Sequence, residues 1–383
     1  MKVLHLISGG DTGGAKTHVL SLAQELQKHI TMKLICLLES DFYREGLQMG
    51  LNIAVLPQKG RYDLKVAGKL HKIIRQEGFQ ILHCHGARAN FLAAVMRKFM
   101  RIPVLTTMHS DYRLDFQGNF YKNLIYTNLN AWALRSFDYF IAVSDSFKEM
   151  LVERGFSAEK IFVIYNGIDF EAKLNLLGKK EFLEKLGLDI PPRAKIVGIM
   201  GRLHPVKGHD LFLQGARLLL EEGVDAHFLI AGDGEEKEKL LNLRNKLQLQ
   251  GKAHFTGYLE EPDQFTNILD VNTLTSHSES FPLVLLEGAR LKKPTLSSDV
   301  GGISRLIKEE KTGLLFEAGN VDQYVSKLLR LLRDDKLAAR LGESLYGHAR
   351  ENFSLKSMGS EHCRIYRQIL NKAGGEGTIA NHR

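Results

Sequence analysis

The chain of 383 residues is 44% hydrophobic and 25% charged, as expected for a water-soluble globular protein long enough for two domains. It has no run approaching the roughly 20 apolar residues that cross a bilayer and no signal-peptide pattern, which argues against a membrane-spanning or secreted protein. Its net charge of +8 is uneven, because residues 1–166 hold 21 Lys or Arg against 14 Asp or Glu. This asymmetry favours two domains with different partners, although ordinary surface charge would also explain it.

Three cysteines are scattered along the chain, and Cys36 and Cys84 lie within apolar, strand-like runs. Such positions favour buried free thiols over a disulfide framework. The sequence therefore predicts a protein of the reducing cytoplasm. The basic first half adds the expectation of peripheral contact with the inner face of the plasma membrane.

The first half alternates apolar runs with amphipathic helical patterns, which predicts a parallel sheet covered on both faces. Strands are predicted at Lys2–Ser8, Thr31–Leu38, Asn52–Leu56, Ile81–His85, Pro103–His109 and Tyr139–Val143, with a short last strand after Lys160. Helices are predicted at Ala15–Lys28, Leu64–Gln76, Ala87–Met100, Tyr121–Ser136 and Ser146–Arg154.

The alternation restarts at Ala194, after a polar and locally helical segment. Strands are predicted at Lys195–Met200, Ala226–Ala231, Ala253–Thr256, Asp270–Thr275, Pro294–Ser298 and Gly313–Phe316. Helices are predicted at Gly208–Glu222, Glu236–Gln248, from Pro282, at Ile303–Lys308, Val321–Leu332, Lys336–Asn352 and Leu355–Ala373. We therefore expect two doubly wound α/β domains, residues 1–170 and 171–354, a ligand cleft between the carboxyl ends of their sheets, and a flexible tail at 374–383.

A glycine-rich stretch, Gly9–Gly14, joins the first strand to the first helix. Glycine lets the backbone approach a ligand closely and leaves N–H groups at the helix start free for an anion. The spacing is neither the dinucleotide G-x-G-x-x-G pattern nor a Walker loop. A dehydrogenase, which would need an acidic residue such as Glu39, and a plain turn without a ligand are the alternatives.

The loop Gly201–Gly208 occupies the corresponding place in the second half. Its Arg202 and Lys207 can converge on one anion, because Arg supplies a planar fork and Lys a point charge, a combination suited to a diphosphate. Two exposed basic residues on a loop are also common without a ligand. A second turn, Ala231–Gly234, ends another strand at the same expected edge.

The most informative pattern lies around two glutamates, Glu279 and Glu287, which bracket the start of a helix. Pro282 is expected at the first helical position, where its missing N–H costs nothing. The free N–H groups of Leu283 and Val284 then form an anion site. Carboxylates beside an anion site indicate a ligand that offers hydroxyls as well as phosphate, as a nucleotide sugar does.

A polar histidine, His109, ends an apolar strand. It is typical of a cleft residue that donates or accepts a proton, although a structural histidine fits equally well. His83 and His85 flank Cys84, and all three are metal-ligating residue types. Because alternate side chains on a strand face opposite ways, no metal site is predicted there.

Two stretches, Arg88–Arg101 and Tyr112–Phe137, interleave basic with aromatic residues. Most of these aromatic side chains fit a hydrophobic core. The alternative is a surface that touches an anionic membrane or a lipid-linked acceptor. The sequence holds no continuous basic run and no known binding module, so nucleic acid is not expected as a partner.

Together these residues resemble the GT-B glycosyltransferases, and within them the large retaining family four, also called group 1. The resemblance covers about residues 1–370 and rests on motifs in matching order and spacing: Gly13–Ala15, Asn166–Asp169, Gly201–Gly208, Glu279–Glu287 with Phe281 and Pro282 inside it, and Asp299–Gly302. It implies two Rossmann-like domains that face each other across a cleft, with a helix at about 355–373 crossing back to the first domain.

The resemblance also implies roles for single residues. The first domain would bind the acceptor and the second a nucleotide sugar. Arg202 and Lys207 would hold the diphosphate, Glu287 the ribose, and His109 and Glu279 the transferred sugar, so that His109, Glu279, Arg202 and Lys207 form the catalytic set. The other donor contacts would come from Gly13, Gly14, Leu259, Phe281, Pro282, Leu283 and Val284.

Retention of anomeric configuration without a metal or other cofactor is implied as well. No residue stands out as the nucleophile of a two-carboxylate displacement, so front-face transfer with the departing phosphate as base is expected. The expected function is transfer from a UDP- or GDP-sugar to a saccharide or lipid-linked acceptor in cell-surface polysaccharide or glycolipid synthesis. The alternatives are a nucleotide-sugar epimerase or hydrolase, and a non-catalytic nucleotide-sugar-binding protein. One departure is Lys16, where many relatives carry Glu; it adds positive charge near the expected acceptor.

Overall fold

The computed structural model describes residues 1–10, 13–58, 63, 65–109 and 129–380, without the side chains of 13–14 and 374–380. The chain forms two compact units. Unit 1 comprises Met1–Gly167 together with the chain from Leu355 onward, and unit 2 comprises Ile168–Ser354. The first division falls just before the expected boundary at 170, and the second falls where the last helix begins.

Unit 1 contains a parallel sheet of seven strands. They are β1 (Lys2–Ile7), β2 (Thr31–Cys36), β3 (Ile53–Val55), β4 (Ile81–His85), β5 (Val104–Met108), β6 (Tyr139–Ala142) and β7 (Ile161–Val163). Their order is β3-β2-β1-β4-β5-β6-β7, so the winding reverses between β1 and β4. The carboxyl ends of strands at such a reversal are where ligands of doubly wound sheets bind.

Unit 2 repeats this plan with six parallel strands. They are β8 (Lys195–Met200), β9 (Ala226–Ala231), β10 (Ala253–Gly257), β11 (Val271–Leu274), β12 (Thr295–Ser298) and β13 (Leu314–Phe316). The order β10-β9-β8-β11-β12-β13 places the reversal between β8 and β11. The loops after these two strands are the ones that carry Lys207 and Glu279.

Helices connect the strands of both sheets. In unit 1 they are α1 (Gly13–Leu26), α2 (Asp41–Gln48), α3 (Lys65–Glu77), α4 (Ala87–Met96) and α5 (Asp145–Glu153), with further helical residues at 129–134. In unit 2 they are α6 (Lys179–Lys185), α7 (His209–Glu221), α8 (Lys237–Lys246), α9 (Pro262–Asn267), α10 (Leu283–Arg290), α11 (Ile303–Leu306), α12 (Val321–Arg333) and α13 (Asp335–Asn352). The last helix, α14 (Leu355–Ala380), belongs to unit 1.

The core of unit 1 follows from the period of two along β1. Leu4 and Leu6 enter one hydrophobic cluster, whereas Val3 and Ile7 enter a second cluster on the opposite face. Helix α14 contributes Ile365 to the second cluster, together with Tyr366 and Ile369, all fully buried. Burying an aliphatic or aromatic side chain of this size stabilises by about 1.5–3 kcal/mol. This apolar face explains why the C-terminal helix packs on unit 1.

Most predicted elements are present within about two residues of their predicted ends. Two short helices were not predicted, α2 and α9, because eight and six residues carry too little periodicity to be recognised. Of the predicted helix Tyr121–Ser136, residues 121–128 lie outside the described part of the chain. The three cysteines are free and buried, which confirms the expectation for Cys36 and Cys84.

Two expectations need correction. Pro282 is the N-cap of α10 and not its first helical residue. The sequence does not tell the N-cap from the first helical position. Proline is tolerated at both, because an N–H at either position would have no acceptor within the helix. Helix α14 continues to Ala380, seven residues beyond its expected end at 373. Extending an existing helix adds one hydrogen bond per residue, which offsets about 1 kcal/mol for each glycine.

Among the described residues, no helix has the length and apolar character that crossing a membrane requires.

Candidate active site

The loops after β8 and β11 of unit 2 are packed against each other. Gly208, between a short 3₁₀ turn and α7, has a φ of 64°, and a Cβ there would lie 2.2 Å from the carbonyl oxygen of Thr275. The N–H of His277 donates to the carbonyl of Val206 over 2.8 Å. Only glycine permits this close approach of residue 208 to the carbonyl of Thr275. The consequence is that Lys207 and the residues after β11 are held side by side.

Lys207 and Glu279 form an ion pair at this place, with Nζ and Oε1 separated by 2.6 Å. The Glu279 side chain is only 7% exposed. Its Oε1 also accepts a hydrogen bond of 2.7 Å from the hydroxyl of Ser276. Arg202 lies on the same loop as Lys207, is exposed, and has no partner among the described residues. The site therefore offers one positioned cation, one exposed cation and a buried carboxylate.

A second glycine turn, after β12, supports the backbone that carries Glu279. Gly301 has a φ of 58°, and a Cβ there would lie 1.8 Å from the carbonyl oxygen of Glu279. The N–H of Gly302 donates to the carbonyl of Ser280 over 2.9 Å. These contacts explain why a glycine stands at position 301. A similar close approach brings Gly232, after β9, against the carbonyl of Gly201.

The start of α10 follows directly. Pro282 caps the helix by position alone, without a side-chain hydrogen bond. Leu283 and Val284 are the first two helical residues, whose N–H groups have no acceptor within the helix. The Phe281 side chain is buried against Phe353, with ring centroids 4.9 Å apart. Its side chain therefore anchors the loop, and only its backbone is left for the expected donor contact.

Glu287, further along α10, has an uncommon environment. Its Oε2 is buried and has no hydrogen-bond partner among the described residues. Burial, then the charge of Asp263, raise the pKa of Glu287 to about 7, which Arg290 partly offsets. Arg290 itself is paired with Asp263 over 2.5 Å and donates to the carbonyl of Asp169. This oxygen is therefore available to accept a hydrogen bond from a ligand.

The loop after β10 carries Leu259, which was expected near the base. Leu259 is half-buried and packs on the hydrophobic cluster that contains Phe265. The preceding Tyr258 is 78% exposed. Leu259 therefore has a structural contact and a partly accessible surface.

In unit 1, His109 follows β5 and is half-buried. Its Nε2 lies 3.2 Å from Nδ1 of His85. Burial, followed by the charge of His18, lowers the pKa of His109 well below its ordinary value. At neutral pH the ring is therefore neutral, which fits a hydrogen-bonding role better than that of a general acid.

His83 and His85 lie on the same face of β4, with Cys84 on the opposite face. Residues two apart on a strand share a face, and His5 of β1 pairs in register with His83 of β4. Ligand atoms of all three histidines lie within 4.8 Å of one another. Sequence reasoning missed this cluster because His5 comes from a different strand.

Gly13 and Gly14 form the first turn of α1, and Asp11 and Thr12 before them lie outside the described residues. Lys16, on the same helix, is paired with Glu45 of α2. The extra positive charge of Lys16 is therefore locally offset. The structure thus brings together Lys207 and Glu279, and sequence reasoning missed Ser276 and the histidine cluster.

Two family models match the chain. The model for glycosyl transferases group 1 matches residues 182–347, and the model for glycosyltransferase family 4 matches residues 12–172. The chain belongs to the group 1 glycosyltransferases.

Relatives and solved structures agree with this membership. N-acetyl-alpha-D-glucosaminyl L-malate synthase of Bacillus anthracis is 29% identical over 317 residues, 81% of this chain and 80% of the relative. UDP-Gal:alpha-D-GlcNAc-diphosphoundecaprenol alpha-1,3-galactosyltransferase of Escherichia coli is 27% identical over 72% of each chain. The Anabaena protein HepE, crystallised with UDP, superposes with a TM-score of 0.81 at 20% identity, over 96% of this chain and all of that one. The glycosyltransferase therefore has the expected GT-B fold of two parallel-sheet domains.

Proposed function

We propose that this glycosyltransferase moves a hexose from a nucleotide diphosphate sugar to a saccharide or lipid-linked acceptor, with retention of anomeric configuration. The observation that carries the proposal is the arrangement in unit 2. The Lys207–Glu279 pair, the uncapped start of α10 and the unpartnered Glu287 carboxylate all belong to loops and a helix that follow β8 and β11. A cation and free amide N–H groups are suited to bind a diphosphate, and carboxylates are suited to accept hydrogen bonds from sugar hydroxyls.

In this proposal Arg202 and Lys207 neutralise the diphosphate as it departs, which is the main electrostatic demand of the reaction. The N–H groups of Leu283 and Val284 contact phosphate or sugar oxygens. Glu287 accepts hydrogen bonds from the ribose hydroxyls. Because these side chains supply the positive charge, the proposal requires no metal ion.

The proposal extends to stereochemistry. A two-step displacement would need a carboxylate free to attack the anomeric carbon. Glu279 is engaged by both Lys207 and Ser276, so it is placed to bind a sugar hydroxyl and not to act as nucleophile. We therefore favour front-face transfer in which the departing phosphate accepts the acceptor's proton. His109 takes part as a hydrogen-bonding group for the transferred sugar.

Relatives support the substrate class. The Escherichia coli relative is named for UDP-galactose and a lipid-diphosphate acceptor, and HepE has been crystallised with UDP-glucose as well as with UDP. We propose a UDP- or GDP-sugar as donor. An acceptor in cell-surface polysaccharide or glycolipid synthesis, reached from the cytoplasmic side, is part of the same proposal.

The donor site can be tested by thermal denaturation with UDP-, GDP- and ADP-hexoses at pH 8. The true donor at 100 times its Kd should stabilise the protein by about 2.7 kcal/mol. The pKa of Glu287 is about 7, and ribose hydroxyls prefer its charged form. Donor affinity should therefore fall as pH falls through 7, by up to about tenfold for each further unit.

The variant Glu287→Gln tests this role, because it should weaken donor binding at pH 8 and abolish the pH dependence of that binding. Its control is Glu343→Gln, which changes an exposed glutamate paired with Lys292 in the same unit and should change neither. Absence of stabilisation by every nucleotide sugar would contradict the proposed function. A pH dependence that survives in Glu287→Gln would contradict the role of Glu287 alone.

A membrane surface on unit 1 is a further part of the proposal. Phe99 is 74% exposed and Trp132 is 53% exposed. Phe99 lies beside Arg75 and Arg101, which line the same pocket. Of the second basic and aromatic stretch, residues 112–128 lie outside the described chain. Exposed aromatic groups among cations are suited to the interface of an anionic bilayer.

We expect the protein to bind vesicles that contain phosphatidylglycerol and to be released at 1 M salt, where the Debye length is about 3 Å. Phe99→Ala should lower partitioning by about ten- to a hundredfold, because inserting a phenyl group contributes about 1.5–3 kcal/mol. Leu47→Ala, a change at another exposed apolar residue of unit 1, is the control. Equal binding to neutral and anionic vesicles would count against this surface.

A further inference from the structure

A continuous chain of hydrogen bonds crosses the buried face of unit 1 and ends at His109. Six residues form it, in the order Thr107, His83, Tyr366, His5, His85 and His109. The donor–acceptor distances along this order are 2.7, 2.6, 3.3, 3.0 and 3.2 Å. Both ring nitrogens of each of the three central histidines take part.

The residues come from four separate elements of the fold. His5 lies on β1, His83 and His85 on β4, Thr107 on β5, and Tyr366 on α14. The register pairs His5 with His83 and Thr107 with His85, so their side chains share one face of the sheet. All five are at most 2% exposed. Water therefore does not compete for these bonds, and the arrangement is fixed by packing.

The histidines of this hydrogen-bonded chain are neutral. Burial lowers the pKa of His5 to about 3 and the pKa values of His83 and His85 well below 6.5, with neighbouring histidines adding to the effect. A neutral imidazole has one N–H donor and one acceptor nitrogen. Tyr366 could accept from His83 and His5 at once only by leaving its own buried hydroxyl proton without an acceptor among the described residues. The favoured arrangement therefore points every hydrogen bond the same way, and it couples the tautomers of all four histidines.

The close approach of His5, His83 and His85 also resembles a metal site. However, all six ring nitrogens already have hydrogen-bond partners among the described residues. A metal ion would have to displace these bonds in a site without access to water. The hydrogen-bonded chain accounts for every nitrogen, so we prefer it.

Thr107 sets the direction. Among the described residues its hydroxyl has one hydrogen-bond partner, Nε2 of His83. A buried hydroxyl proton without an acceptor costs about 1–3 kcal/mol, so Thr107 donates to His83. His83 then donates to Tyr366, and Tyr366 to His5. His5 donates to His85, and His85 donates from its Nδ1 to Nε2 of His109.

We infer that Thr107 and Tyr366 are positioning residues that hold His109 in the tautomer protonated on Nδ1. In this tautomer Nε2 is occupied as an acceptor, and Nδ1–H remains as a hydrogen-bond donor. The inference deepens the proposed function, on which its consequence for transfer rests. His109 would donate to a sugar oxygen and would not serve as the base.

The tautomer can be measured directly by long-range ¹H–¹⁵N NMR of the full-length protein with ¹⁵N-labelled histidine. The His109 signals are assigned by their loss in His109→Asn. In the wild-type protein Nδ1 should be protonated and Nε2 unprotonated at pH 7. Tyr366→Phe breaks the chain between His83 and His5, and Thr107→Val removes its first donor. Both should move His109 toward a mixture of the two tautomers, whereas Thr107→Ser, which keeps the hydroxyl, should match the wild type.

Transfer activity supplies the second measurement. Tyr366→Phe and Thr107→Val should lower kcat by about ten- to a hundredfold, as expected when a reacting group is misplaced, with little change in the KM for the donor. Tyr324→Phe removes a buried tyrosine hydroxyl from unit 2 and should change neither kcat nor the His109 signals. If Tyr366→Phe leaves kcat unchanged, the positioning role in transfer is wrong even where the tautomer shifts.

The inference is overturned if wild-type His109 is protonated on Nε2, or if Tyr366→Phe leaves its tautomer unchanged. One equivalent of a transition metal in the purified protein would also overturn it, because the ring nitrogens would then be ligands. The proposed function fails separately, through absence of donor binding or transfer in the wild type, since the tautomer is measured without any substrate.

Discussion

Lys207→Ala is expected to lower kcat for sugar transfer by about 10²–10³-fold, the effect of removing one group that stabilises developing charge in a transition state. Lys207 is the cation that the structure holds in place, with its Nζ 2.6 Å from Glu279. Arg202 is exposed and lacks a partner among the described residues, so it is not equally preorganised. Initial rates at saturating donor would measure the loss.

The Lys207 pair also has a structural role that must be separated from catalysis. Glu279 is 7% exposed, so loss of its cation leaves a buried charge with Ser276 as its remaining partner, at a cost of about 1–3 kcal/mol. Lys195→Ala, which breaks an ion pair with the exposed Asp335 in the same unit, is the matched control. It should change stability by less than about 1 kcal/mol and leave kcat unchanged.

A double-mutant cycle decides between the two roles. If Lys207 only neutralises Glu279, then Lys207→Ala should have no further effect on kcat once Glu279 has been replaced by Gln. If Lys207 acts on the departing diphosphate, it should still lower kcat by at least about tenfold in that background. Loss of the effect in the Glu279→Gln background would remove Lys207 from the proposed chemistry.

The sequence specified the two sheets well for a physical reason. Parallel strands that are buried on both faces are largely apolar, as in Ala226–Ala231 with its single histidine, and such runs are easily recognised. Short polar helices such as α2 lack this signal. The sequence predicted which loops form the site, because parallel strands carry their loops to one edge of the sheet. It did not predict the contacts between those loops.

Finer features depend on distant parts of the chain. The contact between Lys207 and Glu279 requires the close backbone approaches at Gly208 and Gly301, which cannot be read from either motif alone. The histidine chain needs Tyr366, which is 283 residues from His83 in sequence. Such pairings become visible only when the register of β1 against β4 and the packing of α14 on the sheet are known.

Acidification is expected to unfold unit 1 between about pH 6.5 and pH 4. Six of its histidines have a lowered pKa in the folded state, chiefly through burial: His5, His18, His83, His85, His109 and His362. In the unfolded chain each binds a proton near its ordinary pKa of about 6.5. The unfolded state therefore binds more protons below pH 6.5, and the free energy of unfolding falls as pH falls. The loss approaches about 1.4 kcal/mol per pH unit for each histidine that stays neutral when folded.

Urea denaturation at a series of pH values would measure this loss through the single tryptophan of the chain, Trp132, which lies in unit 1. His362 is buried and donates to the carbonyl of Met358, and His362→Gln should reduce the pH slope by about one proton. His277→Gln, at an exposed position of unit 2, changes no residue of unit 1 and should leave the slope unchanged. A free energy of unfolding that stays constant from pH 7 to pH 5 would mean that the buried histidines do not control the acid stability of unit 1. The neutral state of the buried histidines thus has two effects. It couples the tautomers in the hydrogen-bonded chain, and it makes unit 1 sensitive to acid.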